Sequence, residues 1–370
     1  MNTSSTEYTL PKNLKPAQDR AAGAIMGVLI GDAMAVGPHW YYDLDEMRQA
    51  YGGRITDYVP VLPNRYHVGV ELGDVSQSGQ FNQLLIESIV ACGGYLERDY
   101  TRRLDALLDT LDGTESGGRF TEQAVRDIWH SRKKQGKAWR SEGFASFAET
   151  SEAAQRAVVI AARYANDLMQ AGRMGADCAK LTHADPSIVT ASTAYGVVVA
   201  AVISGIPLDG QIGWVMRELI KEDKLPFTHA VLAEERKDNL APEQPTLNLP
   251  FPDVLLGMGW WVEAAQDQRI RIEPPEAVSK VYGMACPLMM AMPAAFSIAA
   301  RFPDSFEDAI LTAINSGGNN LARGTLTGAL SGAQIGLSGI PERFITGLKN
   351  HQKWVDLAIE IARSGTQGLS

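Results

Sequence analysis

Basic residues are in short supply in this chain: 34 Lys and Arg stand against 43 Asp and Glu, a formal charge of −9 at pH 7. A protein that grips a nucleic-acid backbone presents a basic face. The one basic cluster here, Arg132, Lys133, Lys134 and Lys137, is short and reads as a solvated turn. Nucleic acid is therefore not expected as a partner. Cysteine is scarcer still. Cys92, Cys178 and Cys286 are odd in number and scattered among apolar residues, which argues against a disulfide framework and for a reduced, cytoplasmic protein. No basic-then-apolar leader opens the chain, so no signal peptide is expected. Unbroken apolar runs are missing too. Residues 187–208 and 281–300 are uncharged and long enough for a membrane span, but Ser, Thr, Gly, Tyr and Pro dilute them. Two buried central helices, and no membrane, are the expectation.

Clean strand alternation is also absent; residues 58–62 come nearest, as one short extended piece. Helical signals fill the rest. Residues 16–34 carry Gly23, Gly27 and Gly31 four apart, a small-residue stripe that lets another backbone approach. Residues 320–337 repeat the device with Gly324, Gly328 and Gly332. Further helices are predicted over 81–96 and 153–169. Asp185-Pro186 supplies a cap and first turn for a helix to 201, and Asp304 with Glu307 a capping box for one to 315. The class is all-α. Hydrophobic residues make up 45% of the chain, enough for a large core, and no segment resembles a linker. One domain over 16–365 is expected, after a polar tail at 1–15. The charged, Pro-rich stretch 222–252, around a helical island at 228–236, reads as a surface insertion.

Four places hold residues suited to chemistry. Asp32 ends the first glycine-striped helix, with His39 and Trp40 close behind; Asp32 is either a site carboxylate or a local cap. The loop 64–80 carries Arg65, Tyr66, His67, Glu71, Asp74, Gln77 and Ser78, and is either a site loop or a polar connection. His183 precedes a helix start and serves either a ligand or that helix entrance. The turn 317–323 places Gly317, Gly318, Asn319, Asn320 and Arg323 where a helix begins; it is either an anion seat or a close-packed, Asn-capped turn.

Three ordered blocks, AAGAIMGVLIGDAMAVGPHW (21–40), LTHADPSIVTASTAYGVVVAAVISG (181–205) and FPDSFEDAILTAINSGGNNLARGTLTGALSGAQIGLSGIP (302–341), resemble the ADP-ribosylglycohydrolase family, that of the dinitrogenase-reductase-activating glycohydrolase and the J1 crystallins. The resemblance implies an all-α orthogonal multi-helix bundle that hydrolyses glycosidic bonds of ADP-ribose with two Mg²⁺. The departures are specific. Where the family carries Thr-Asp-Asp-Thr, this chain reads Ser76-Gln77-Ser78-Gly79; where it closes with Gly-Gly-Asp-Thr-Asp-Thr, this chain has Gly317-Gly318-Asn319-Asn320-Leu321-Ala322. His39 replaces a glutamate, and of an Asn-Gly-x-x-Met-Arg segment only Arg156 is kept. Asp32 alone stands at its acidic position.

Two Mg²⁺ ions need several carboxylates to offset their repulsion, and neutral amide and hydroxyl oxygens do not supply that charge. The expectation is therefore a divergent member with no metal and no cofactor. It would bind an anionic nucleotide- or ribose-like small molecule through His67, Gln77, Ser78, Arg156, His183, Asn319, Asn320 and Arg323. The alternative is a metal-independent enzyme in which Asp32 pairs with Glu71 or Asp74 and a histidine, His39 or His67, moves the proton. A crystallin-like structural role is a third reading.

Overall fold

The computed structural model describes residues 13–115, 119–228, 249–250 and 252–369. Sixteen α-helices run through them. The first nine are α1 (Pro16–Val36), α2 (Leu44–Ala50), α3 (Gln77–Cys92), α4 (Glu97–Leu108), α5 (Gln123–Trp129), α6 (Glu152–Arg163), α7 (Leu168–Ala179), α8 (Pro186–Ser204) and α9 (Ile212–Lys221). After the 222–252 segment come α10 (Asp253–Gln266), α11 (Val278–Tyr282), α12 (Leu288–Arg301), α13 (Phe306–Asn315), α14 (Asn320–Ile335), α15 (Glu342–Gly347) and α16 (His351–Gly365). The fold is all-α. The β-structure among these residues is a two-residue parallel pair, Phe227–Thr228 with Leu249–Pro250, and isolated bridges. No strand forms at residues 58–62. The polar tail to residue 12 and the helical island at 228–236, beyond Thr228, lie outside the described residues.

Local signals account for most helix ends. Asp185 caps α8, its carboxylate accepting from the Ser187 and Ile188 amides, and Pro186 occupies the first turn. The capping box expected from Asp304 and Glu307 is not the device used at α13. Ser305 caps that helix by accepting from the Asp308 amide; its short hydroxyl stands one residue closer to the unpaired N–H groups. The expected helix 153–169 divides into α6 and α7, because Asp167 caps a fresh start at Leu168. The basic cluster is satisfied at the surface, with Arg132 on Asp105 and Lys133 on Asp109.

The two glycine stripes face each other. A Cβ on Gly23 would lie 2.3 Å from the Gly332 carbonyl oxygen, one on Gly27 1.9 Å from that of Gly328, and one on Gly31 2.3 Å from that of Gly324. α1 and α14 therefore run antiparallel with backbones touching, which no side chain would permit. The contact sets the end of α1, with Asp32, beside the start of α14, with Asn319 and Asn320. α8 is long and apolar enough to cross a membrane by length and composition, but it is buried inside the bundle. Tyr195 on it donates to the Leu326 carbonyl of α14 at 2.7 Å, and Gly196 packs on Ala157 of α6.

Candidate functional site

α6 opens with a carboxylate in an apolar interior. Glu152 is 4% exposed and accepts from the Thr150 hydroxyl and from His183 Nε2 at 3.3 Å. Behind it, Arg156 donates to Thr182 Oγ1, which lies 2.8 Å from His183 Nδ1, so one string of hydrogen bonds runs from Arg156 through Thr182 and His183 to Glu152. Desolvation by burial opposes the charge on Glu152. The His183 bond and charge, with the Thr150 bond, outweigh it and hold the carboxyl below its ordinary range. His183 and Arg156 thus position Glu152. His183 also walls a cavity of about 460 Å³ shared with Phe144, Phe147, Lys180 and Val189.

Glu122, at the entrance of α5, is the counterpart. It too is buried. Burial first, then the charge of Glu152, push it well above the usual carboxylate range, with Asp32 adding to the effect and Arg126 opposing it. The two buried carboxyls are thus pushed in opposite directions. Cys286 joins the same group, and burial pushes its thiol up.

Asp32 is fully buried and holds Ser76, the cap of α3, across 44 residues of sequence, accepting from its amide and hydroxyl at 2.6 Å each. A Cβ on Gly79 would lie 2.6 Å from its Oδ1, so glycine is what lets the start of α3 come this close. Burial pushes Asp32 up to about 6, against the Ser76 bonds and Arg119. This has a sign that can be checked. Between the free value of 3.8 and about 6 the folded state keeps a proton that the unfolded chain has lost, so stability falls as pH rises through that window. The fall is about 3 kcal/mol. The neutral histidines described next run the opposite way, so the difference between proteins is the clean measure. Urea unfolding of Asp32→Asn should improve on the wild type by about 2.5 kcal/mol more at pH 7 than at pH 4. A difference independent of pH would refute the assignment.

His39, His67 and Asn319 come from three distant segments and form one line. His39 Nδ1 lies 2.7 Å from His67 Nε2, and His39 Nε2 lies 3.3 Å from Asn319 Oδ1. Both imidazoles are buried and held neutral: His39 well below its ordinary value by burial and the charge of His67, His67 down to about 4 by burial and Arg119. Trp40, stacked on His39 at 4.3 Å, has a left-handed backbone with φ of 62°. That strained turn is pinned by Arg65, which donates to the His39 and Trp40 carbonyls and lies 3.6 Å over the Tyr41 ring.

Several expected ligand contacts are committed elsewhere. Arg323 is buried under the turn it was expected to arm, donating to the Gly317 carbonyl at 2.7 Å and the Ala313 carbonyl at 3.4 Å. Nor is the turn an open anion seat. The Gly318 amide donates to Tyr41, Asn319 to Met284 and Asn320 to the Gly318 carbonyl. Gly317 and Gly318 are left-handed and packed against Tyr41, Leu44 and Met284. Asn320 turns its amide nitrogen to the Pro38 and Ile314 carbonyls. Glu71 lies outside, paired with Lys349 at 2.7 Å, and Asp74 is held by Arg119 and Lys349. His39 has both ring nitrogens engaged, which removes it as a free proton carrier. Gln77 and Ser78 are buried in the first turn of α3, Gln77 donating to Thr121 at 3.2 Å.

Glu122, Glu152, Arg119 and Phe120 were not singled out by sequence reasoning. The signal for Glu152 was a lone acid at the head of the apolar helix EAAQRAVVIAAR; for Glu122 there was none.

The family model for ADP-ribosylglycohydrolase matches residues 13–368. A protein of Archaeoglobus fulgidus described as uncharacterized is 23% identical over 344 residues, covering 93% of this chain and 96% of its own. Among solved structures, one titled an ADP-ribosylglycohydrolase-related protein complex superposes with a TM-score of 0.60 at 19% identity, over 95% of this chain and 100% of its own. That likeness carries the fold.

Proposed function

From the premise that this chain belongs to the ADP-ribosylglycohydrolase family, we propose that it takes a ribose- or nucleotide-like small molecule and cleaves its glycosidic bond by acid–base chemistry, without a binuclear Mg²⁺ centre. What supports the reading is Glu122, a buried carboxyl pushed well above its usual range, facing the charge of Glu152, a second buried carboxyl held below its own. Two carboxyls with separated protonation are what glycoside hydrolysis needs. Glu122 gives its proton to the leaving group as the C1 bond breaks. Glu152 takes a proton from the water that adds to C1. The Arg156, Thr182 and His183 string keeps Glu152 charged and in place.

The residues present do not fit two Mg²⁺ ions. Both oxygens of Asp32 are taken by Ser76, and Asn319 Oδ1 by His39 and the Ala322 amide. Leu321 and Ala322 offer no side-chain oxygen. Among the described residues no three His, Cys, Asp or Glu are grouped to hold a metal. Of the residues that would support a binding-only role, Arg323 and the turn before it are engaged with backbone.

Calorimetry on protein dialysed against EDTA tests the metal half. Mg²⁺ added to about 1 mM should give no saturable heat and leave the melting temperature unchanged, since a cation binding only the native state would raise it. Two Mg²⁺ retained per chain, or turnover that stops in EDTA, would overturn the reading.

A further inference from the structure

The line of hydrogen bonds through His39 ends on an atom with no partner among the described residues. Asn319 Oδ1 accepts from the Ala322 amide at 3.0 Å, which fixes the orientation of its side-chain amide. An oxygen can only accept, so His39 Nε2, 3.3 Å away, carries a hydrogen. His39 is neutral, and its Nδ1 is therefore bare and accepts. His67 Nε2, 2.7 Å from it, must donate. His67 is neutral as well, which leaves its Nδ1 bare. That nitrogen is buried and receives no hydrogen bond from the described residues.

We infer that His67 Nδ1 is a preset acceptor in the buried site, shaped to receive an O–H or N–H donor of an uncharged ligand group, a sugar hydroxyl if the ribose-like reading above holds. Three observations favour a ligand over packing. An unmet buried acceptor costs about 1–3 kcal/mol, and here three residues from segments far apart in sequence conspire to keep it bare. Around it stand flat rings: Phe120 at 6.0 Å from His67, Tyr66 at 5.7 Å from Phe120, and Trp40 edge-on to both at 4.6 and 4.5 Å. Such rings suit the apolar face of a sugar or a base, and Tyr66, half-exposed, carries the cluster to the surface. Arg119 and Arg65, both close, exclude a metal ion or an ammonium as the occupant. The fixed tautomer makes His67 selective for donors and His39 its positioning residue.

Nitrogen spectra of ¹⁵N-histidine-labelled full-length protein, with adenosine as an uncharged ribosyl probe, test this. Wild type should show His39 and His67 both as Nε2–H tautomers near neutral pH. Saturating adenosine should shift His67 Nδ1 and leave His39 Nε2 in place, and His67→Phe should weaken adenosine about tenfold. A hydrogen on His67 Nδ1 overturns the inference. So does adenosine that raises the melting temperature while the His67 nitrogen stays still and His67→Phe binds as well as wild type. Adenosine, ribose and NAD all leaving the melting temperature unchanged overturns the ribose reading and, with it, the ligand assigned here, whatever the tautomer. The wild-type spectra decide the matter should the variant fail to fold.

Discussion

Gly27→Leu should yield no folded, soluble protein. At this position α1 and α14 touch through backbone alone. A Cβ on Gly27 would sit 1.9 Å from the Gly328 carbonyl oxygen, about 1.5 Å short of ordinary contact. A flexible side chain could yield, but a carbonyl inside the hydrogen-bonded ladder of α14 cannot. Even Gly27→Ala forces the helices apart and should cost about 3 kcal/mol, the upper part of the overpacking range. Leucine adds three more carbons to the same gap, and the cost passes the roughly 5–15 kcal/mol that holds a protein folded. The chemistry of the substitution is not the cause. Gly175, in α7, has nothing within 4 Å of its Cβ position. There Gly→Ala should stabilise by about 0.5–1 kcal/mol through helix propensity. Circular dichroism and gel filtration of the variants check the pair. Gly27→Leu eluting as a folded species with wild-type melting would mean that α1 and α14 do not pack as described. Asp32 and Asn319 lie at the ends of this contact, so any survivor with separated helices should also lose the His39 to Asn319 bond.

What the sequence made legible was local. Caps such as Asp185-Pro186 and the spacing of the glycines act within one or two turns, and the helices they foretold are present. That Gly27 meets Gly328 was not written in either stripe, because partner choice is a tertiary matter. The site followed the same division. His39, His67 and Asn319 were recognised as residues with chemical capacity, and the fold brings them into one line. Arg323 looked like a free cation at a helix start. It sits in the first turn of a buried helix, though, and its nearest acceptors are the carbonyls that end α13 and form the turn. The amides of that turn looked open because their acceptors, on Tyr41 and Met284, are far away in sequence. Glu71 and Asp74 drew attention because they lie in a loop of mixed charge; such residues find lysine and arginine at the surface. Glu122 and Glu152 drew none, since a glutamate at a helix entrance ordinarily just complements the dipole. Burying two of them together turns that commonplace into chemistry.

Glu122→Gln is expected to make the protein more stable and, on the proposed chemistry, nearly inactive. The stability half follows from linkage. Glu122 keeps its proton in the folded state well above the ordinary value of 4.5, because ionising it means placing a charge in an apolar interior beside Glu152. As pH rises past that value the unfolded chain gives up the proton freely and the folded chain does not, so wild-type stability declines through the window. Glutamine has the same shape and never ionises. The gap between variant and wild type should therefore be small near pH 4 and open toward pH 7.5 in favour of the variant, read by denaturant titration at both values. The activity half follows from the proton itself. A leaving group that must depart without general-acid help loses about 10²–10⁴ in rate, and an amide cannot give a proton. Release of base or nicotinamide from adenosine and NAD, in EDTA, is the assay. A variant that gains stability and loses turnover by that factor identifies Glu122 as the acid. A variant that gains stability and still turns over at the wild-type rate returns the role of acid to another carboxyl, with Asp32 next in line at about 6. A variant that is less stable at pH 7.5 than wild type would mean that Glu122 is ionised and paired in the folded protein, and the proposed division of labour between Glu122 and Glu152 would fall.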